Sequence, residues 1–269
     1  TEMRDKGRAF ADVLKEAQEL GYAEADPTFD VEGIDAAHKL TILSSVAFGI
    51  PLQFEQCYTE GISKVSAEDV ANAESLGYRI KHLGLTRRTE AGIELRVHPT
   101  LIPEKRLIAN VHGVMNAVLV DGNAVGPTMY YGAGAGAEPT ASSIVADLVD
   151  VVRDMAVDQN VRMPSLAFQQ DAMSDSPILS MDNVVTAFYM RMAVSDKPGV
   201  LAQITQILGN AGISIEAIRQ QTHVSSQVPV IILTRPVVEG HMNDAIKAIE
   251  ALADVNGAVT RIRVENLDG

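Results

Sequence analysis

The chain of 269 residues reads as an α+β protein in two units: a mixed or antiparallel sheet with helices, then a ferredoxin-like β-α-β-β-α-β unit. Three observations carry that reading. Up to about residue 160, long segments of helical period alternate with short segments of strand period. Residues 164–186 hold two Pro and four Ser with no period, and mark a linker. Beyond it, strand and helix periods follow one another in the β-α-β-β-α-β order over about 80 residues. The boundaries are therefore 1–163, a linker at 164–186, and 187–266.

The elements follow in order. Phe10, Val13, Leu14, Ala17 and Leu20 recur at helical spacing, so the chain opens close to a helix. There is no initiator Met and no signal-peptide pattern, and an opening so close to a helix is expected to follow further chain upstream. Residues 34–48 and 66–82 have helical period. "IELRVHPTLI" has the character of a strand, and "GVMNAVLVDGNAVGPTMYY" of a hairpin turned by "DGN". A helix over 138–156 starts from Glu138 or Thr140 as cap, with Pro139 in its first turn and Ile144, Leu148, Val151, Val152 and Met155 as a core-facing stripe. In the second unit, Phe188, Met190, Met192 and Val194 alternate, "DKPG" turns the chain, and Val200, Ile204, Ile207 and Leu208 share a helix face. "ISIEAIRQQ", "VPVIILTRP", "GHMNDAIKAIEALADV" and "GAVTRIRVE" supply two strands, a helix and a last strand.

Composition narrows the function. The net charge of −13 disfavours phosphate-backbone binding and anionic membrane surfaces, so neither nucleic acid nor membrane is an expected partner. No apolar run reaches the roughly 18 residues of a membrane helix. The single cysteine, Cys57, makes no internal disulfide, which fits a cytoplasmic protein, and reads as a buried structural residue in a strand.

Gly132, Gly134 and Ala137 in "YYGAGAGAEPTASSIVADLVD" match the glycine spacing of a dinucleotide fingerprint. That fingerprint needs a buried parallel strand before it and a second strand after the helix. "GPTMYY" is a poor buried strand and no second strand follows, so a flexible Gly/Ala turn is the better reading. Its six small residues in a row still let something approach the backbone closely.

The chemistry concentrates earlier. Glu24, Asp26, Asp30, Glu32 and Asp35 fall within twelve positions and Lys39 follows. Pro27 and Gly33 place the acids up to Glu32 on an irregular loop. On the helix from Ile34, Asp35, Lys39, Ile42 and Val46 lie within about 60° of one another. One reading is a surface i,i+4 ion pair. The other is a cleft, since Asp35 and Lys39 share the stripe that Ile42 and Val46 turn inward and buried charges need a partner. An EF-hand spacing is absent, the six histidines show no metal-ligand pattern, and His38 reads as a packed or solvated helix residue.

This run resembles the signature of the homoserine dehydrogenase family. Ala17, Gly21-Tyr22-Ala23, Asp26-Pro27, Asp30-Val31, Gly33, Asp35 and Lys39 fill every position of it over 23 residues. "ANVHGVMNAVLVDGNAVGPTMYYGAGAGAEPTASSIVAD" is similar to the family's later catalytic region, and the C-terminal unit with "DKPGVL" resembles an ACT regulatory domain. The resemblance implies interconversion of L-homoserine and L-aspartate 4-semialdehyde with NAD or NADP, on the route to threonine, methionine and isoleucine. It implies that Lys39 gives and takes the proton at the substrate oxygen, that Glu24 and Asp35 hold the substrate's amino group and hydroxyl, and that Asp30 orders the loop. Gly132, Gly134 and Gly136 would let the nicotinamide end of the cofactor come close. The family's nucleotide-binding domain, monovalent-cation site and second active-site lysine precede this region, so no metal ligand is assigned in the chain and the chain alone is expected to be inactive. By the same resemblance L-threonine is the expected effector, near Asp196, Gly199 and the turn from Asn210 to Ile213, with Asp196 and Asn210 pairing its charged ends. A homodimer or larger homo-oligomer is also implied. The alternative from another class is a non-catalytic amino-acid sensor in which only the C-terminal unit functions.

Overall fold

The computed structural model describes residues 1–21, 23, 25–134, 136–158, 162, 164–220 and 227–267. Helices α1 (Glu2–Lys6) and α2 (Phe10–Glu19) open the chain, separated at Gly7, whose φ of 63° ends the first. The single turn α3 (Thr28–Val31) leads through Gly33 into α4 (Ile34–Phe48). The two-residue strand β1 (Tyr58–Thr59), helix α5 (Ala67–Ser75) and the paired strands β2 (Tyr78–Thr89) and β3 (Gly92–Pro103) follow. A hairpin of β4 (Met115–Gly122) and β5 (Gly126–Ala133) stands apart, followed by α6 (Ala137–Met155). The second unit runs β6 (Val185–Ser195), α7 (Val200–Asn210), β7 (Ile215–Gln220), β8 (Gln227–Thr234), β9 (Val237–Val238), α8 (Glu239–Glu250) and β10 (Val255–Val264).

The α+β reading and the β-α-β-β-α-β order hold, with the short β9 added. The two units, however, share one eight-stranded sheet. Strand β3 pairs antiparallel with β2, and parallel with both β1 and β10; the order then continues through β6 and β8 to β7. The joint between units is the parallel register of Arg263 with Thr100 and Val264 with Leu101.

Strand period places the cores. Phe188, Met190, Met192 and Val194 point to one face and pack with Val200, Ile204 and Leu208 of α7 and Met242, Ala245 and Ile249 of α8. Ala187 and Tyr189, with the opposite parity, join Ile231, Leu233, Ile262 and Val264 against Ala73 of α5 and Leu101. The second unit's sheet is thus covered on one face by its own helices and on the other by α5 of the first unit. Farther along, Ala37 and Leu40 of α4 cover Leu95 and Val97 of β3.

Several sequence expectations need correction. Residues 78–82 belong to β2, not to a helix over 66–82: Gly77, with φ 81°, ends the helical turn and the chain then pairs with β3 over twelve residues. The acidic loop is not wholly irregular, because Thr28–Val31 forms a helical turn, ahead of which Asp26 accepts hydrogen bonds from Thr28 N–H and Oγ1. The 164–186 stretch is pinned to the sheet, with Ile93 N–H donating to Pro177 O and Leu179 N–H to Ile93 O, and β6 already begins at Val185. Cys57 is half-buried and precedes β1 instead of lying in a strand. Helix α6 is capped at Gly136, and its apolar stripe is exposed: Ile144, Leu148, Val151, Val152 and Met155 face outward, as do Val118, Val120 and Tyr130 of the hairpin. Among the described residues no helix is long and apolar enough to cross a membrane.

Candidate active site

Helix α4 carries Asp35 and Lys39. It buries Ala37, Leu40, Thr41, Ser44 and Ser45 against the sheet, which turns Asp35 and Lys39 the other way. Lys39 Nζ donates to Asp35 Oδ2 at 2.5 Å, with the two side chains 70% and 45% exposed. Ile42 and Val46 share their stripe, as the spacing requires, but the whole stripe faces outward: Ile42 is 51% exposed and Val46 40%. The expected inward face is therefore reversed, because Leu40, Thr41 and Ser44 are the residues that fit the sheet surface.

Asp30 lies in the exposed turn α3, immediately before the Gly33 bend that starts α4. Glu24 lies outside the described residues. His38 is exposed on α4 and stands edge-on to Phe29 and Phe54, with ring centroids 6.1 and 4.2 Å away.

Two glycines explain why the turn from Val31 to Gly33 has its shape. Gly33 has φ 80°, and a Cβ there would stand 2.7 Å from His82 Cε1. A Cβ on Gly61 would collide with the Glu32 carboxylate and stand 2.6 Å from Val31 O. The chain from Tyr58 to Ile62 runs as a strap under this turn: Ile62 N–H donates to Val31 O at 2.9 Å, and His82 Nε2 stands 2.9 Å from Glu60 O. Glu60 itself accepts from Tyr58 OH and from Arg263 Nη1, both at 2.8 Å. Burial opposes ionisation of Glu60, yet the Arg263 guanidinium and the Tyr58 hydroxyl hold its carboxyl below the usual range. Sequence reasoning did not find this strap. No local pattern joins Glu60 to an arginine some 200 positions on; only the sheet register brings them together.

The glycines at 132–136 form the approach to α6. A Cβ on Gly132 would meet nothing within 4 Å, and Gly136 caps the helix with φ 126°. Strand β5 is one arm of an antiparallel hairpin, and no strand follows α6 before Val185 among the described residues. Gly132 thus offers an open face, Gly134 is covered by the Asn116 side chain, and the segment lacks the parallel strand-turn-helix of a pyrophosphate site. In the second unit, Gly199 and Asn210 lie at opposite ends of the eleven-residue α7, about 16 Å apart along the helix. One amino-acid ligand cannot span Asp196 and Asn210 within one copy. Ile213 is buried in the core behind α7. Among the described residues no group of three or more His, Cys, Asp or Glu is placed to hold a metal ion.

The half of the chain that carries α4, the strap and the glycine turn matches the homoserine dehydrogenase family model over residues 1–149. The chain belongs to the homoserine dehydrogenase family. Residues 189–254 match the ACT domain. A homoserine dehydrogenase of Pseudomonas aeruginosa is 65% identical over 270 residues, across 100% of this chain and 62% of that protein. The one from Neisseria gonorrhoeae is 56% identical, across 99% of this chain and 62% of the relative. The crystal structure of a homoserine dehydrogenase from Thiobacillus denitrificans superposes with a TM-score of 0.94 at 65% identity, over 99% of this chain and 61% of that one. The chain thus spans about 62% of the length of these homoserine dehydrogenase relatives.

Proposed function

We propose that this chain is the substrate-binding and regulatory portion of an NAD- or NADP-dependent enzyme that interconverts L-homoserine and L-aspartate 4-semialdehyde. The observation that carries the reading is the Lys39–Asp35 pair, outward-facing on the first turns of α4 beside the Asp30 turn. An exposed ion pair of this kind contributes only about 0.5 kcal/mol to stability, so its value lies in what it can do.

The nicotinamide cofactor supplies or accepts the hydride when bound. Negative charge develops on the substrate oxygen as the aldehyde is reduced, and Lys39 holds a proton that it can pass to that oxygen. In the reverse direction the Lys39 amine receives the hydroxyl proton. Asp35 holds the Lys39 ammonium in place and, with Glu24, takes the substrate's hydroxyl and amino group, while Asp30 orders the loop. The open backbone at Gly132 suits close approach of a nicotinamide ring but not the pyrophosphate, so the main cofactor contacts come from a separate nucleotide-binding domain. That domain, or a second copy of the chain in a homo-oligomer, is the proposed cover for the apolar stripe of α6. The ACT unit takes L-threonine as effector, with the Asp196–Gly199 turn of one copy and the Asn210–Ile213 turn of another forming the site. We place the reaction in the cytoplasm, in the supply of threonine, methionine and isoleucine.

The test is a spectrophotometric assay of homoserine oxidation. The longer enzyme carrying this chain behind a nucleotide-binding domain should reduce NADP or NAD with homoserine, and the 269-residue chain alone should neither turn over nor bind NADPH by calorimetry. Tight NADPH binding by the chain alone would refute the division of labour. Absence of homoserine oxidation in the longer enzyme would favour an amino-acid sensor.

A further inference from the structure

A buried arginine from the ACT unit stands behind the substrate turn. Arg263 lies on β10 and is 1% exposed. Its Nε donates to Glu239 Oε2 at 2.7 Å, and its Nη2 bonds Glu239 Oε1. Nη1 reaches Glu60 Oε2 at 2.8 Å, Nη2 reaches Tyr58 OH at 3.0 Å, and the guanidinium stacks on the Tyr58 ring 4.8 Å from its centroid. One guanidinium thus bridges an acid at the start of α8, in the ACT unit, and an acid on the strap, in the first unit. Its planar fork can serve both carboxylates at once, which a lysine ammonium cannot reproduce.

The strap needs such an anchor. Its strand, β1, holds β3 through only two residue pairs, with Glu60 N–H donating to Val97 O just beyond them. From the strap, two contacts reach the turn that starts α4: Ile62 N–H to Val31 O, and Glu60 O to the His82 ring on which Gly33 rests. Gly61 lies too close to Val31 and Glu32 for any side chain, so a shift of the strap must move the turn. Asp30 precedes that turn, and Asp35 and Lys39 follow it on the rigid helix.

We propose that Arg263 is a positioning residue for the substrate site: by clamping Glu60 against Glu239 it fixes the strap, and through the strap it sets where Asp30, Asp35 and Lys39 lie. The ACT unit is then a structural wall of the substrate site as well as a regulatory attachment. The part of this inference that concerns substrate rests on the functional reading above; the fixing of the turn does not.

Glu60→Gln and Arg263→Lys separate the two. Glu60→Gln keeps the shape and one acceptor oxygen while removing the charge, and should fold. In this chain, hydrogen exchange at the amides of Ile62 and Ala37, which bond to Val31 O and Gly33 O, should quicken about tenfold in both variants, while amides of Tyr189 and Leu233 in the ACT sheet stay unchanged. In the longer enzyme, the KM for homoserine should rise about tenfold with kcat and the KM for NADP within about threefold. Unchanged exchange at Ile62 and Ala37 in both variants overturns the proposal, and so does quickened exchange with an unchanged homoserine KM. If the parent enzyme does not oxidise homoserine, the functional reading fails, and the exchange measurement still decides whether Arg263 fixes the turn.

Discussion

Arg191 of the ACT sheet donates from Nε and Nη2 to the two oxygens of Asp69, at 2.6 and 3.1 Å, and so ties β6 to the first turn of α5. The same carboxylate completes a capping box with Ser66 and accepts from Tyr189 OH. Burial opposes its charge, but the hydrogen bonds from Arg191 and Ser66 prevail and hold the Asp69 carboxyl below the usual range. Asp69→Ala should cost about 2 kcal/mol in urea unfolding, since it takes from Arg191 both bonds to that carboxylate, leaving Glu68 and Thr260, and removes the N3 half of the capping box while Ser66 still caps the helix. A loss below about 1 kcal/mol would show that the Asp69–Arg191 pair adds little to a joint held by the β3–β10 pairing and its apolar packing.

The sign of the pH dependence follows from the same group. A folded value below the unfolded one near 3.9 means that Asp69 stabilises the fold at neutral pH, and that this contribution is lost as pH falls through the folded value. His98 acts in a higher window. Fully buried, it accepts at Nε2 from Arg96 Nη1 at 2.7 Å, and burial, then the Arg263 and Arg96 charges, push its pKa well below the ordinary value. The unfolded chain binds the extra proton once pH drops below about 6.5, so stability declines from there downward. His98→Gln should flatten the fall in Tm between pH 7 and pH 5; an identical fall in variant and parent would remove His98 from the account, leaving His82 and His112, which are also shifted down, first by desolvation.

Gly33 is a position where no side chain fits. Gly33→Ala places a methyl group against His82 and Val97 at a positive φ, and should cost about 1–3 kcal/mol while displacing the start of α4. Thermal melts measure the first effect and the homoserine KM of the longer enzyme the second. An unchanged KM would mean that the turn does not govern the site.

The stripe of α6 should behave as uncovered apolar surface in the isolated chain. Leu148 is 60% exposed and Val152 65%. A Leu148→Lys, Val152→Lys double variant should lower the binding of a hydrophobic dye and leave stability within about 0.5 kcal/mol per site. Unchanged dye binding would show that the stripe is already covered by another copy.

Most of the fold was legible because local period and tertiary environment agree. Phe188, Met190, Met192 and Val194 alternate in the sequence and alternate into one core, and Ile34–Phe48 forms the helix that its spacing implies. Legibility failed where a distant partner decided the outcome. Residues 78–82 became strand because β3 was there to pair with them, and Ile42 and Val46 turned outward because Ala37, Leu40, Thr41 and Ser44 are the α4 residues that meet the sheet. Lys39 and Asp35 could be named from spacing and resemblance, since both lie on one helix. Glu60, His82 and Arg263 could not, because each meets its partner only through the register of β1, β2, β3 and β10.

The central claim is that Lys39 moves the proton at the substrate oxygen. Lys39→Arg keeps the charge on α4 but replaces an exchangeable proton donor with a group that does not deprotonate at working pH. In the longer enzyme it should lower kcat for homoserine oxidation by about 10²–10⁴-fold with NADP binding and thermal stability unchanged, since the residue is exposed and outside the core. A kcat within about threefold of the parent would contradict the account.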